Sequence, residues 1–199
     1  LSESGTALGN GAYDVNNEGT LVVGRYEGNP AVWTKTNNKW TVLPVPTGWD
    51  GGLVNAITPD GKWAIGRATK GQYDETPVLC DMSKGGVITE TPNIPVKDMT
   101  GLDQHQSRFV SISADGRYIV GCLSFSYIQP IACCYYVYDR DKQTYKFIGF
   151  DVDENYKWTP LAQNLAFIDE ARISNNGKYN GDRLYGKRRK RRIQNSFSL

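Results

Sequence analysis

A ten-residue pattern occurs four times in this chain and constrains the fold more than any other feature. Each copy begins with a β-branched residue, passes through Asp-Gly, Glu-Gly or Asn-Gly, and resumes with apolar or aromatic residues. Asp-Gly and Asn-Gly tolerate the positive φ angles of tight hairpin turns, so the pattern predicts a strand, a turn and a second strand. The copies are residues 15–24, 57–66, 112–121 and a degraded fourth at 173–182.

The pattern continues beyond the hairpin. The three complete copies end on Gly24, Gly66 and Gly121, which predicts a bulge or a close approach between backbones at these positions. Each copy is followed by a short apolar strand that begins with proline, then by a polar turn and a last strand. Four strands in meander order, repeated along the chain, are typical of a β-propeller blade. We therefore predict an all-β fold of tandem four-stranded antiparallel blades.

The number of blades is small for a closed propeller. We expect a single domain over 1–186, with units at about 12–46, 54–92 and 109–149 and a partial unit at 166–186. Propellers usually close with about four to eight blades. The sequence leaves three alternatives open: a fragment of a longer propeller, a ring that a homo-oligomer completes, or blades that pack as a sandwich.

The repeat resembles the S-x-D-G-x-x-I-V-G units of propeller-like proteins, including HAF-type extracellular repeats and secreted proteins of Bacteroidetes. The resemblance covers most of residues 12–186. It implies a propeller-like architecture and an extracellular or cell-envelope location. It implies little about activity, because propellers host unrelated functions. The Gly-His and Trp-Asp dipeptides of WD repeats do not occur at the blade ends of this sequence, so nothing about signalling scaffolds follows.

The charge of the chain is unevenly distributed. The formal net charge is +2, but residues 187–192 (K-R-R-K-R-R) contribute six positive charges, and without them 17 basic residues face 21 acidic ones. The blade region is thus mildly acidic, and we predict no nucleic-acid partner for it. For the basic tail, 187–199, three interpretations stay open: an out-of-frame or shortened end of a longer repeat protein, a solvated tail, or a functional basic patch.

Several functional classes find no support in the sequence. No run of about 18 apolar residues occurs, so we predict no transmembrane segment. The glycines fall in predicted hairpin turns with no helix after them, and we predict no nucleotide or other cofactor. The cysteines form no C-x-x-C motif; Cys80 and Cys133 take the repeat position of Trp33 and are interpreted as interior strand residues.

Two short segments are candidates for chemistry. His105, the only histidine, follows Asp103 in the segment before the third repeat, where acid–base catalysis and an ordinary polar loop are the alternatives. Asp151, Asp153 and Asn155 place oxygen ligands at alternate positions, as in a calcium loop. The segment lacks the glycine and the glutamate of an EF-hand, so a solvated acidic turn is the alternative to a metal site.

Aromatic residues between strands are the stronger candidates for binding. Trp49, Tyr73, Tyr156 and Trp158 lie in inter-strand or inter-blade segments, and loops on a rigid scaffold usually carry recognition. Such rings suit stacking on sugars or contact with a peptide, and filling gaps between blades is the alternative. We predict a non-catalytic binding module or scaffold that recognises glycan or peptide through its inter-blade loops. A glycan-active hydrolase or lyase near His105, and a structural or assembly protein, are the other hypotheses.

Overall fold

The computed structural model describes residues 10–71, 74–92, 105–125, 132–148, 168–173, 179–184 and 196–197 of the 199-residue chain. The described residues form antiparallel β-strands joined by turns, with a 3-10 turn at Met82–Lys84 after the seventh strand. The predicted all-β class is confirmed.

The strands are arranged as successive meanders, which we call the first, second and third blades. The first blade contains β1 (Gly11–Val15), β2 (Leu21–Tyr26), β3 (Asn29–Thr34) and β4 (Lys39–Val42). The second contains β5 (Gly51–Ile57), β6 (Trp63–Lys70), β7 (Asp74–Asp81) and β8 (Val87–Glu90). The third contains β9 (His105–Ile112), β10 (Tyr118–Phe125), β11 (Ala132–Asp139) and β12 (Thr144–Ile148). The predicted tandem four-stranded antiparallel blades are confirmed.

Three further strands follow the third blade. These are β13 (Ile168–Ile173), β14 (Tyr179–Leu184) and β15 (Ser196–Phe197), in antiparallel order. The hairpin of β13 and β14 spans the degraded fourth repeat, with Ile173 opposite Tyr179. Within the predicted basic tail, the structure describes Ser196 and Phe197, which pair with the start of β14.

Apolar clusters lie between consecutive units. The cluster between the first and second blades contains Val23 and Val54, and the cluster between the second and third contains Ile65 and Phe109. A third cluster joins the third blade to Ile173 of β13. The second and third blades are also linked by a parallel bridge between β7 and β9, which makes their strands one continuous sheet. Burial of apolar area between blades therefore holds the stack together.

The closing glycine of the repeat lies where strands approach too closely for a side chain. A Cβ atom on Gly24 would collide with the carbonyl oxygen of Gly11, and one on Gly66 would collide with that of Leu53. The closing glycine of the third repeat, Gly121, packs against a tyrosine ring in the same way. The first strand of each blade carries one extra residue next to this glycine: Tyr13, Asn55 and Val110. The predicted bulge is present in all three blades, and the predicted close approach between backbones is present at Gly24 and Gly66, whereas at Gly121 the close neighbour is the side chain of Tyr136.

The Asp-Gly turn of the second blade is held by its own side chains. Thr58 Oγ1, fully buried, donates to Asp60 Oδ1 at 2.6 Å and accepts from the Trp63 amide at 3.0 Å. Asp60 Oδ1 also accepts from the Lys62 amide at 3.0 Å. The hydroxyl and the carboxylate thus satisfy the amides that the turn leaves unpaired.

The other blades repeat this arrangement. In the third blade, Ser113 Oγ donates to Asp115 Oδ1 at 2.5 Å and accepts from the Tyr118 amide at 2.9 Å. In the first blade a single side chain does this work, because Asn16 Oδ1 accepts from the Thr20 and Leu21 amides, both at 2.9 Å. We call the end of the blades that these turns form the turn end.

Candidate functional site

The opposite end of the blades is formed where β5 and β9 begin and where β2 and β6 end. The amide of Gly52 in β5 donates to the carbonyl of Gly28 in the β2–β3 turn at 3.1 Å. Across β6, the Gly71 amide donates to Asp50 Oδ2 at 3.0 Å. Through these contacts the start of β5 lies beside the end of β2 in the first blade and beside the end of β6 in its own blade. We call this end the loop end, because the long connections between blades join strands here.

The loop end carries a group of charged side chains from all three blades, Arg25, Arg67, Arg108 and Glu75, which we call the arginine cluster. Arg67 Nε lies 2.8 Å from Glu75 Oε1, and Arg108 Nη1 lies 3.5 Å from Glu75 Oε2. The Glu75 side chain is 12 % exposed, against 25 % for Arg67 and 32 % for Arg108. Glu75 therefore pairs with one arginine of its own blade and one of the next.

The repeat itself places two of these arginines. Arg25 and Arg67 each follow the closing glycine, in the half of the second strand that is nearer the loop end. Successive strand residues alternate between faces, so Arg25 lies on the same face as Val23, which is buried between the first and second blades. Arg25 lies two residues further along β2 than Val23, so its guanidinium lies at the loop end, beyond the apolar contact between the first and second blades.

The electrostatics of the cluster link all three blades. Burial lowers the pKa of the Arg67 guanidinium, and the positive charges of Arg108 and Arg25 act in the same direction. The Glu75 carboxylate and the Tyr13 hydroxyl oppose this decrease in the pKa of Arg67. Two cations thus pair with one carboxylate, and a third, Arg25, acts on Arg67, so the cluster has an excess of positive charge in a blade region that is acidic overall.

Tyr13 provides an aromatic ring beside the cluster. It is the extra residue of the bulge in β1, and 51 % of its surface is exposed. A Cβ atom on Gly11 would lie 3.1 Å from the Tyr13 hydroxyl, so the phenol end of the ring lies over Gly11. Gly11 is the cross-strand partner of Arg25. Because cross-strand partners share a face of the sheet, the ring of Tyr13 and the side chain of Arg25 lie on the same side of the first blade.

Buried polar atoms without hydrogen bonds concentrate in this cluster. Among the described residues, four buried side-chain nitrogen or oxygen atoms make no hydrogen bond, and three of them are Arg25 Nε, Arg67 Nε and Glu75 Oε2. Arg67 and Glu75 are close enough to pair by charge, but their atoms are not aligned as donor and acceptor. Since most buried polar groups in proteins are hydrogen-bonded, such a concentration marks a place suited to an additional partner. The arrangement offers guanidinium donors and one carboxylate acceptor.

The predicted aromatic site is only partly described. Trp49 is half-buried and packs against the apolar cluster between the first and second blades, as the gap-filling interpretation expects. Tyr73, Tyr156 and Trp158 lie outside the described residues, so their role in binding stays a prediction.

The predicted catalytic and metal residues also lie at the margin of the described chain. His105 is the first residue of β9, opposite Phe125 and at the loop end, and the structure describes its backbone. Asp103 lies outside the described residues, as do Asp151, Asp153 and Asn155. In the described ranges, no three His, Cys, Asp or Glu side chains converge in a way that could hold a metal ion. Cys80 is fully buried, as its interpretation as an interior residue requires.

The arginine cluster is the part of the site that sequence reasoning missed. A signal was available for half of it, because Gly-Arg closes both the first and the second repeat. Glu75 and Arg108 have no such periodicity, since they meet only when β7 and β9 lie side by side.

Comparison with known proteins identifies the fold and leaves the family open. No family model matches this chain, and no curated protein matches it. A TolB-like protein from Agrobacterium tumefaciens is similar in structure, with a TM-score of 0.53 and 15% identity over 85% of this chain and 53% of that one. Dipeptidyl peptidase 4 from Porphyromonas gingivalis gives a TM-score of 0.49 and 9% identity over 83% of this chain and 28% of that one. The chain thus spans about half the length of the first of these proteins, and the likeness to it shows a propeller-like fold.

Within the described part of the chain, no helix is both long enough and apolar enough to cross a membrane.

Proposed function

We propose that this chain is a non-catalytic binding module that recognises its ligand at the loop end. The observation that carries the proposal is the arginine cluster, which draws side chains from three blades and contains buried polar atoms without hydrogen bonds. Binding sites are usually built from a few convergent polar groups on a rigid scaffold. The blades provide the scaffold, and the half-exposed arginines provide the polar groups.

The proposal extends to aromatic residues in the connections between strands. Tyr73 lies in the connection between β6 and β7, and Tyr156 and Trp158 lie in the connection between β12 and β13. We propose that these rings contact a glycan or a peptide whose charged group lies against the arginine cluster. The resemblance of the repeat to those of secreted proteins supports an extracellular or cell-envelope location, and a homo-oligomer is the proposed way for an open stack of blades to cover its flank.

Binding of the labelled full-length chain to an array of glycans and peptides tests the proposal. We expect binding to one ligand class, with Tyr73→Ala or Trp158→Ala weakening it about tenfold, which corresponds to about 1.4 kcal/mol. The matched control is Val15→Ala, which shortens an exposed apolar side chain at the turn end of β1 and leaves binding unchanged.

Two results would contradict the proposal. A blank array, or binding that both loop variants retain, would remove the loop end as the site. Release of reducing ends from a bound glycan, lost in His105→Ala, would replace the binding function by hydrolysis near His105.

A further inference from the structure

We infer that the loop end binds the carboxylate of an acidic glycan, a uronic acid unit, and that Arg25 is the residue that pairs with it. This inference rests on the proposed function and narrows it to one ligand class. Its evidence is the charge of the arginine cluster, the hydrogen bonds that the cluster lacks, and the ring that lies beside it.

The charge of the cluster leaves Arg25 available. Glu75 is shared by Arg67 and Arg108, whereas Arg25 takes part in none of the ion pairs between described residues. Its Nε is buried and donates no hydrogen bond to a described residue. A guanidinium presents its donors in a planar fork that fits the two oxygens of a carboxylate. An anion of this shape would pair with Arg25 and balance the excess charge of its neighbours.

The unsatisfied atoms also require a donor. Glu75 Oε2 is buried and lies 3.5 Å from Arg108 Nη1, an ion pair without the alignment of a hydrogen bond. A ligand that pairs with Arg25 and also donates to the Glu75 carboxylate would bring an anionic acceptor and a neutral donor. A uronic acid has this combination, because its carboxylate is attached to a ring that carries hydroxyl groups. In a peptide, the carboxylate of an acidic side chain is separated from the nearest backbone donor by flexible methylene groups.

The exposed ring of Tyr13 points to the same class. An aromatic side chain offers an apolar face together with a polar hydroxyl, which suits the mixed surface of a sugar. Tyr13 is half-exposed and lies on the same side of the first blade as Arg25. The charge balance of the blade region, with 17 basic residues against 21 acidic ones outside residues 187–192, makes long polyanions such as nucleic acids poor ligands.

Titration calorimetry with the full-length chain tests the inference. The probes are a trimer of galacturonic acid and its methyl ester, which keeps the rings and hydroxyls and removes the charge. We expect the trimer to bind, and the ester to bind at least about tenfold more weakly. Arg25→Gln weakens binding of the acidic trimer to the same extent. Arg25→Lys gives an intermediate loss, because it keeps the charge without the planar fork.

The matched control removes the same charge from the other end of the molecule. Lys39 is exposed at the start of β4, next to the turn that follows β3, and Lys39→Gln leaves binding within about twofold. Urea unfolding of each variant checks that it folds. If Arg25→Gln does not fold, the comparison between the trimer and its ester on the unmodified chain decides the question alone.

Three outcomes would overturn the inference. Equal binding of the ester would exclude pairing with the carboxylate, and binding of tri-glutamate in place of the sugar trimer would assign the site to acidic peptides. Failure of every acidic probe, together with array binding of a neutral ligand that depends on Tyr73, would leave the proposed function standing without this inference. A blank array as well would remove both.

Discussion

The two ends of the blades differ in whether their buried polar atoms are hydrogen-bonded. At the turn end, buried Thr58 and Ser113 each donate to the aspartate two residues later and accept a backbone amide. At the loop end, Arg25 Nε and Glu75 Oε2 are buried without hydrogen bonds to the described residues. The turn end satisfies its polar groups within each repeat, whereas the loop end leaves some of them available.

The same contrast appears in how the residues repeat. The turn residues recur in each blade because every blade needs the same hairpin geometry. The position after the closing glycine is arginine in the first two blades and the buried Cys122 in the third. The turn geometry therefore recurs in all three blades, whereas the arginine after the closing glycine recurs in the first two, and Glu75 and Arg108 each occur once. The proposed site thus follows the repeat only in part, and a position that changes between otherwise similar blades is a useful indicator of function.

The largest expected effect concerns the turn end. Gly116 has a φ angle of +75°, and a Cβ atom there would lie 2.6 Å from Trp63 Cδ1 of the preceding blade. We predict that Gly116→Ala lowers the free energy of unfolding by about 3 kcal/mol, of which about 1 to 2 is backbone strain and the rest displacement of the tryptophan. Urea unfolding followed by tryptophan fluorescence measures it.

The first blade supplies the matched control. Gly19 occupies the same turn position with a φ angle of +63°, and a Cβ atom there would have no neighbour within 4 Å. Gly19→Ala is expected to cost about 1 kcal/mol, from backbone strain alone. Equal losses in the two variants would show that packing between successive turns does not contribute to stability.

The sequence was sufficient to predict this end of the molecule. Asp-Gly, the β-branched residue before it and the closing glycine are local signals, and each of them acts within one hairpin. The inter-blade contacts follow less directly, because Gly116 meets Trp63 only once two blades are stacked. The fold class and the blade pattern could therefore be predicted from local chemistry, while the packing of one turn on another could not.

A smaller effect is expected from the turn carboxylates. The hydroxyl of Ser113, as donor, lowers the pKa of Asp115, and the Arg117 amide adds to this. A carboxyl whose pKa is lower in the folded state stabilises the protein above its unfolded pKa, near 3.8, and this contribution is lost as the pH falls further. Because Asp115 is largely exposed, we predict that Asp115→Asn costs about 1 kcal/mol at pH 7.

The pH dependence distinguishes this carboxylate from its neighbours. The loss of stability between pH 7 and pH 3 should be smaller in Asp115→Asn than in the unmodified chain, because one of the groups that must be protonated is gone. Glu18→Gln changes the equivalent position of the first blade, where the hydrogen bonds of the turn come from Asn16 instead. No loss of stability at pH 7 is expected there. An identical acid profile for Asp115→Asn and the unmodified chain would count against this role of the carboxylate.

The loop end was predicted less well, for a physical reason. Trp49 is one of the four aromatic candidates, and its half-buried side chain packs against the apolar cluster between the first two blades. The sequence around a tryptophan in an inter-strand segment does not distinguish a ring that faces a ligand from a ring that packs against a neighbouring blade. The pairing of Glu75 with Arg108 joins residues far apart in the chain and depends on the parallel bridge between β7 and β9. No local pattern encodes such a meeting.

The smallest change in stability is expected for Arg25→Gln, and this variant tests the contrast between the turn end and the loop end most directly. Arg25 has no carboxylate partner among the described residues and lies near the positive charge of Arg67. We predict that Arg25→Gln leaves the free energy of unfolding unchanged or raises it by up to about 0.5 kcal/mol, because it removes a repulsion and breaks no ion pair. Arg67→Gln, at the same repeat position, is expected to cost about 1 to 2 kcal/mol, because Glu75 then keeps only the more distant Arg108.

Urea unfolding of these two variants at low and high salt separates the contributions. Salt should reduce the difference between Arg25→Gln and the unmodified chain, since repulsion between partly exposed charges is screened. If Arg25→Gln instead lost more than about 1 kcal/mol, Arg25 would be a structural residue like those of the turn end. A residue that contributes nothing to stability, yet is buried at its Nε and positioned by the repeat, is most simply explained by a contact that forms only when a ligand binds.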